Sequence, residues 1–231
     1  MMAAVKSGGE SGAMNFLKLL TIGARKGRVR TLPELATAIG EGAAFLAQGA
    51  SYSYIRARSG TMGPRLMQDA GFGAGLERCK WEGFAAIAGD LILIVETELR
   101  PHGSGTAGVW RRLYREVLAA QAMPGHRADT GWTDRLAEFD LALDAHRALP
   151  ARGIEALCEH SAEVLLAFAP VEQAIRDLDR EMVVNNVQFR FIDHIDALRR
   201  RADWPALAAA IRLEAAARPG AACSLPLPGR G

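Results

Sequence analysis

The sequence predicts an all-α fold, a single-domain bundle of about seven helices. Apolar residues recur at steps of three and four over most of the 231-residue chain, and no segment alternates apolar and polar residues as a half-buried strand would. A composition of 49% hydrophobic and 23% charged residues is that of an ordinary globular domain. The helical domain is expected at 32–217, between a flexible basic arm at 1–31 and a flexible tail at 218–231.

The predicted arm is distinguished by its charge. It holds six basic side chains against Glu10 alone, a net charge of +5. Residues 1–13 are small and polar, so they lack the apolar area that would offset the entropy of ordering them. Met14 precedes a short apolar run and is compatible with a second translation start. A weak membrane-surface contact through residues 14–30 is an alternative to a plain flexible arm, which is favoured because so short an anchor binds weakly.

The first helix is predicted over 32–58. Thr31 is suited to the N-cap, Pro33 to the first turn and Glu34 to the positive end of the helix dipole. Glycines inside the apolar pattern weaken a helix, so they indicate a close approach of another helix or a local bend. These glycines are Gly40, Gly42 and Gly49.

The second long helix is predicted at 76–99, after a short helical piece at 63–70 and a glycine-rich linker through Gly71, Gly73 and Gly75. Its apolar residues cover almost every direction around the helix axis. A helix that is apolar all round belongs in the centre of a fold, so 76–99 is expected to be the central helix.

Further helices are predicted at 107–121, 133–148, 153–168, 171–202 and 203–217. The 171–202 segment is the longest and carries two apolar seams, which predict two packing partners. One seam consists of Val171, Ile175, Leu178, Met182, Phe189 and Ile192, and the other of Val184, Val187, Phe191, Ile195 and Leu198.

Asp90 is the most unusual residue of the predicted central helix. A carboxylate within an apolar helix must be paired, protonated or functional. The favoured interpretation is a structural pair with Tyr54, Arg56 or Arg190 on a neighbouring helix. A role in ligand binding or proton transfer is the main alternative, and a helix orientation that exposes the side chain is the third.

Asn185 and Asn186 interrupt the first seam of the 171–202 helix. An asparagine in a seam fixes the pairing register at some cost in stability, and this is the favoured interpretation. Contact with a bound ligand is the alternative. If there is a ligand pocket, its candidate residues are Asp90, Asn185, Asn186, Arg190 and Tyr54.

The sequence lacks the patterns that are typical of several functional classes. A net charge of +2 is not that of a dedicated nucleic-acid binder. The three cysteines are far apart, which argues against a disulfide framework and a zinc site. Neither the paired Glu-x-x-His motifs of di-iron bundles nor the nucleophile elbow of hydrolases is present, and no metal or cofactor is predicted.

Two functions are compatible with these observations. The first is a noncatalytic interaction or accessory protein, an assembly factor or adaptor that binds an unidentified protein or a second copy of itself. The second is a helical protein or enzyme that binds a small molecule, lipid or cofactor near Asp90. For either, a cytoplasmic location is expected, peripheral to the inner membrane if the basic arm contacts lipid.

Overall fold

A computed structural model describes residues 27–103 and 105–217 of the chain. The all-α prediction is confirmed: the described residues contain seven α-helices of ten or more residues, two single-turn helices and no β-strand. The helices, numbered in chain order, are α1 (Leu32–Ser59), α2 (Gly63–Leu66), α3 (Ala70–Leu99), α4 (Ala107–Ala119), α5 (Thr133–Ala148), α6 (Ile154–Leu157), α7 (Glu159–Phe168), α8 (Gln173–Arg201) and α9 (Trp204–Ala217).

Helix α1 begins as predicted. The Thr31 hydroxyl accepts from the backbone N–H of Glu34, and the Glu34 carboxylate accepts in return from the Thr31 N–H at 3.0 Å. Two of its glycines allow α8 to approach closely, because a Cβ at Gly42 would clash with the His194 ring and one at Gly49 with the Arg190 guanidinium. The predicted close approach is therefore found at α8.

Helix α3 is longer than predicted, since it begins at Ala70 and includes the glycines that we expected to form a linker. The Asp69 side chain caps it by accepting from the Phe72 N–H at 2.7 Å. Gly75 lies against Pro170, where an added Cβ would be 3.0 Å from the proline Cβ. The linker prediction was wrong because an N-cap and a tight tertiary contact outweigh the low helix propensity of glycine.

Helix α3 occupies the centre of the bundle, as predicted. Every residue from Glu82 to Glu96 is buried. Helices α1 and α7 pack along it most extensively, and α4 and α5 cover further sides. None of the described helices combines the length and apolar character that a membrane span requires.

The predicted 153–168 helix is two helices, because the chain breaks at Cys158 between α6 and α7. This break places the N-terminus of α7 beside α3. Cys79 and Cys158 are buried, and burial raises the pKa of their thiols to about 11 and about 12.

Helix α8 differs from its prediction on one face. Its inner face packs on α1, α6 and α7 through Val183, Val187, Phe191, Ile195 and Leu198. The other predicted seam does not pack inside the protein: Leu178 is 86% exposed and Phe189 is 72% exposed. Helix α8 therefore has more than one packing partner, as predicted, but it contacts them through one face, and the expectation that both seams would be buried was wrong.

The predicted arm and tail lie mostly outside the described residues. Of the arm, only 27–31 is described, and Val29 within it is buried and forms a parallel bridge with Ala202. The described fold therefore extends a few residues before the boundary expected at residue 32.

Candidate functional site: a pocket at Asp90

Helix α3 carries three deeply buried acidic residues, Glu82, Asp90 and Glu96, each no more than 4% exposed. Of these three, only Asp90 stood out in the sequence. The environments of the three differ, and this difference identifies the candidate site.

Glu82 is neutralised by cations. Arg127 donates to its Oε1 from Nε at 2.7 Å, Arg135 donates to its Oε2 from Nε at 3.0 Å, and His126 lies 2.8 Å away. Although burial works in the opposite direction, Arg127 and His126 hold the pKa of Glu82 below its usual value. Glu82 is therefore a structural anion that joins α3 to the start of α5.

Glu96 has an equivalent set of partners near the other end of α3. Arg100 donates to its Oε2 at 2.7 Å, Arg147 donates to its Oε1 at 2.9 Å, and the His146 Nε2 lies 3.1 Å from Oε2. Glu82 and Glu96 are thus each surrounded by two arginines and a histidine, which compensate for the loss of hydration.

Asp90, between them, forms no ion pair with any described residue. Its Oδ2 accepts from the backbone N–H of Ser161 at 3.0 Å and from the Ser161 hydroxyl. Burial raises the pKa of Asp90 to about 7, and the two bonds from Ser161 only partly oppose this rise. The expectation that Tyr54, Arg56 or Arg190 would be its partner was wrong.

Asp90 lines a pocket of about 350 Å³ between α3, α4, α5, α6 and α7. Both hydrogen bonds that it receives from described residues end on Oδ2, so Oδ1 is left for a bound molecule. The apolar part of the wall consists of Ala86, Leu93, Phe139, Ala142, Ala156 and Leu157. The polar part consists of Tyr114, Arg135, Glu138, Arg152, Glu159, His160 and Glu163.

The Glu82 cluster supports one side of this pocket. Arg135, which contacts Glu82, also donates to Glu138 at 2.6 Å. The other Glu138 oxygen lies 3.5 Å from the Nε2 of His160. Partial burial lowers the pKa of His160, while Glu138 acts in the opposite direction. Charged contacts therefore connect the Glu82 cluster, through Arg135 and Glu138, to His160 in the pocket wall.

Neither a protein-family model, nor a curated protein, nor a solved structure matches this chain.

The structure separates the residues that the sequence analysis grouped as one candidate site. Tyr54 donates to Asp179 on α8 at 2.9 Å. Arg190 donates to Ser53 at 2.6 Å and to Asn186 at 3.0 Å. None of these residues lines the Asp90 pocket, and Asn185 is exposed on α8.

Tyr54 and Asn186 instead line a smaller cavity of about 80 Å³ between α1, α3, α7 and α8, together with Cys79 and Met182. Its wall is mostly apolar and holds no described charged side chain. It is smaller than typical ligand pockets, which begin at about 300 Å³. The Asp90 pocket is therefore the better candidate.

The other polar residues around Asp90 were not predicted from the sequence. Glu138, Arg152, His160 and Ser161 belong to no sequence motif. Within the described part of the chain, no three histidine, cysteine or acidic residues converge as metal ligands do. The arrangement is suited to hydrogen bonding and charge recognition.

Proposed function

We propose that the protein binds a small organic molecule in the Asp90 pocket, with Oδ1 of Asp90 as the central polar contact. The observation that carries this proposal is the contrast along α3. Glu82 and Glu96 each have cationic partners, whereas Asp90 is equally buried and has none among the described residues. A buried carboxyl without a cation, at the wall of a pocket, is a typical feature of a binding site.

The charges of the wall favour a cationic ligand. Of the four acidic side chains that line the pocket, Glu159 and Glu163 pair with Arg180, and Glu138 pairs with Arg135, so Asp90 alone has no cationic partner among the described residues. A protonated amine would complete the coordination of Asp90 as arginines do at Glu82 and Glu96. The apolar wall around Leu93 and Phe139 would hold the hydrocarbon part.

The pH dependence of binding follows from the same groups. A cation prefers the carboxylate form of Asp90, so its affinity should rise as the pH passes through 7. The other charged groups that line the pocket are Glu138 and Arg135 of α5, Arg152 of the loop before α6, and Glu159, His160 and Glu163 of α7. From α4, Tyr114 remains protonated because burial raises its pKa, and its hydroxyl donates to the Ala85 carbonyl at 3.0 Å.

The proposal can be tested with three probes of similar shape: benzylamine, benzyl alcohol and benzoate. Ligand-observed NMR on the full-length protein should show that benzylamine binds best, with at least a threefold gain in affinity between pH 6 and pH 8. Asp90→Asn should weaken benzylamine binding at pH 8 about tenfold, whereas Asp193→Asn on the exposed side of α8 should not. Equal binding to Asp90→Asn, or binding of none of the probes, would contradict the proposal.

The interaction or accessory function remains a second proposal. It is supported by the large exposed apolar side chains of α8, above all Leu178 and Phe189. The membrane contact proposed for residues 14–30 falls almost entirely outside the described residues, so its test is binding of the full chain to vesicles with and without residues 1–26.

A further inference from the structure

Two charged side chains of the Asp90 pocket have no ion-pair partner among the described residues, and their charges are opposite. One is the buried Asp90, and the other is the exposed Arg152 on the loop between α5 and α6. The pocket therefore presents one anion and one cation to a bound molecule. The remaining charged groups of its wall are already paired: Glu138 with Arg135 and His160, and Glu159 and Glu163 with Arg180.

The loop that carries Arg152 is fixed at both ends. At its start, the Arg100 guanidinium donates to the backbone carbonyl oxygens of His146 at 2.8 Å and Leu149 at 2.9 Å. At its other end, the chain enters α6, whose Leu157 is buried in the core. Because Arg152 is exposed and also lines the pocket, it lies on the side of the pocket that opens to solvent.

Arg152 and Asp90 interact through their charges but are not in contact. Burial raises the pKa of Asp90, and the positive charge of Arg152 works in the opposite direction, so the two groups lie within electrostatic range of each other. They form neither a hydrogen bond nor an ion pair, and Oδ1 of Asp90 accepts no hydrogen bond from a described residue. The space between them can therefore hold a molecule that contacts both.

We infer, on the basis of the function proposed above, that the ligand is a zwitterion with an ammonium group and a carboxylate on an apolar body, which is the chemistry of an apolar amino acid. The ammonium group donates to Oδ1 of Asp90, and the carboxylate accepts from the guanidinium of Arg152. An arginine is suited to this role because its N–H groups match the two oxygens of a carboxylate. The apolar body lies against Leu93 and Phe139.

A zwitterion matches the unpaired charges better than a simple amine or a simple acid does. An amine that pairs with Asp90 leaves Arg152 without a partner and adds a like charge near it. A carboxylic acid that pairs with Arg152 brings a second anion towards Asp90. Only a ligand with both groups leaves neither residue unpaired, which reduces the cost of removing the two charges from water. A volume of about 350 Å³ is sufficient for a molecule of this size.

Two zwitterionic probes extend the benzylamine experiment. Phenylglycine is benzylamine with a carboxylate next to the amine, and 4-(aminomethyl)benzoate carries the carboxylate at the opposite end of the ring. Their dissociation constants for the full-length protein are measured by ligand-observed NMR at pH 8, above the pKa of about 7 of Asp90. At least one zwitterion should bind about fivefold more tightly than benzylamine, which is the gain expected from an ion pair with an exposed arginine. The preferred probe shows how far apart the two charges of the ligand lie.

Two variants assign the two ends of the ligand. Arg152→Gln should weaken binding of the preferred zwitterion about fivefold and change benzylamine binding less than twofold, because only the zwitterion has a carboxylate. Asp90→Asn should weaken binding of both molecules about tenfold, because both have the amine. The matched control is Arg56→Gln on α1, an exposed arginine outside the pocket, which should leave both dissociation constants unchanged.

The possible results separate the class of ligand from the site itself. If benzylamine binds through Asp90 but neither zwitterion binds more tightly, the inferred ligand class is wrong and the proposed function stands. A zwitterion whose advantage survives Arg152→Gln would also overturn the inference. If Arg152→Gln strengthens benzylamine binding and weakens neither zwitterion, Arg152 pairs directly with Asp90 in solution and does not bind the ligand. If none of the probes binds, the inferred ligand class and the proposed function are both wrong.

Discussion

Helices α3 and α8 are nearly equal in length, at 30 and 29 residues, but they use charged and apolar residues in opposite ways. Helix α3 buries Lys80, Glu82, Asp90 and Glu96 in the centre of the protein. Helix α8 exposes Leu178 and Phe189 on the surface. The comparison teaches that residue type predicts burial only on average: buried charges are tolerated where partners surround them, and apolar residues remain exposed where the fold supplies no neighbour.

The largest expected effect concerns the buried anions of α3. Glu82→Gln removes the buried anion that Arg127 and Arg135 share, and leaves them only the more exposed Asp134 and Glu138 as acidic partners. Breaking such a cluster should lower the free energy of unfolding by about 3–5 kcal/mol, measured by urea denaturation. The control on α8, Glu181→Gln, changes an exposed acid and should stay within about 0.5 kcal/mol. A similar loss of unfolding free energy in both variants would contradict the claim that α3, unlike α8, depends on paired buried acids.

A leucine on each helix provides the next test. Leu91 of α3 is 0% exposed, and Leu178 of α8 is 86% exposed. Leu91→Ala should lower the free energy of unfolding by about 2–5 kcal/mol, because it removes buried apolar area and leaves a cavity. Leu178→Ala should change it by less than about 0.5 kcal/mol when measured at protein concentrations where the chain is monomeric. A large loss for Leu178→Ala in the monomer would show that its side chain is covered.

The pH dependence of stability separates Asp90 from the paired acids of α3. The pKa of Asp90 is raised from 3.8 to about 7 in the folded protein, so the folded state holds a proton that the unfolded chain releases. The protonated Asp90 side chain contributes fully to the free energy of unfolding below pH 3.8. This contribution is lost as the pH rises through 7. Between pH 5 and pH 7, the stability of the wild type relative to Asp90→Asn should fall by about 1.4 kcal/mol per pH unit.

Chemical denaturation at several pH values measures this difference, and Asp193→Asn serves as the exposed control. If Asp90→Asn and the wild type have the same pH dependence, the carboxyl is ionised in the folded protein and burial does not raise its pKa.

The smallest effect concerns the contact between α1 and α8. Tyr54 is 7% exposed and donates to the buried Asp179, which also accepts from Arg58 at 2.5 Å. Tyr54→Phe removes one hydrogen bond and should lower the free energy of unfolding by about 1 kcal/mol. Tyr52→Phe, where the tyrosine is 41% exposed, is the matched control and should have no measurable effect by thermal unfolding. Equal effects would show that this bond does not stabilise the packing of α8.

The sequence by itself determined most of the helices and the central position of α3. Periodicity of three and four is a local property, and so are the capping residues around Thr31, so both can be read without knowledge of the fold. The predicted start of α3 was wrong because the contact between Gly75 and Pro170 joins residues that are far apart in the chain.

Tertiary structure alone decided the candidate site. Asp90 was recognisable as unusual, but its partner Ser161 is 71 residues away, and Glu138 and His160 enter the same pocket from two other helices. The sequence also could not indicate which seam of α8 would be buried, since both have helical spacing. Burial depends on which surfaces the neighbouring helices cover, and only the three-dimensional arrangement of the chain sets this.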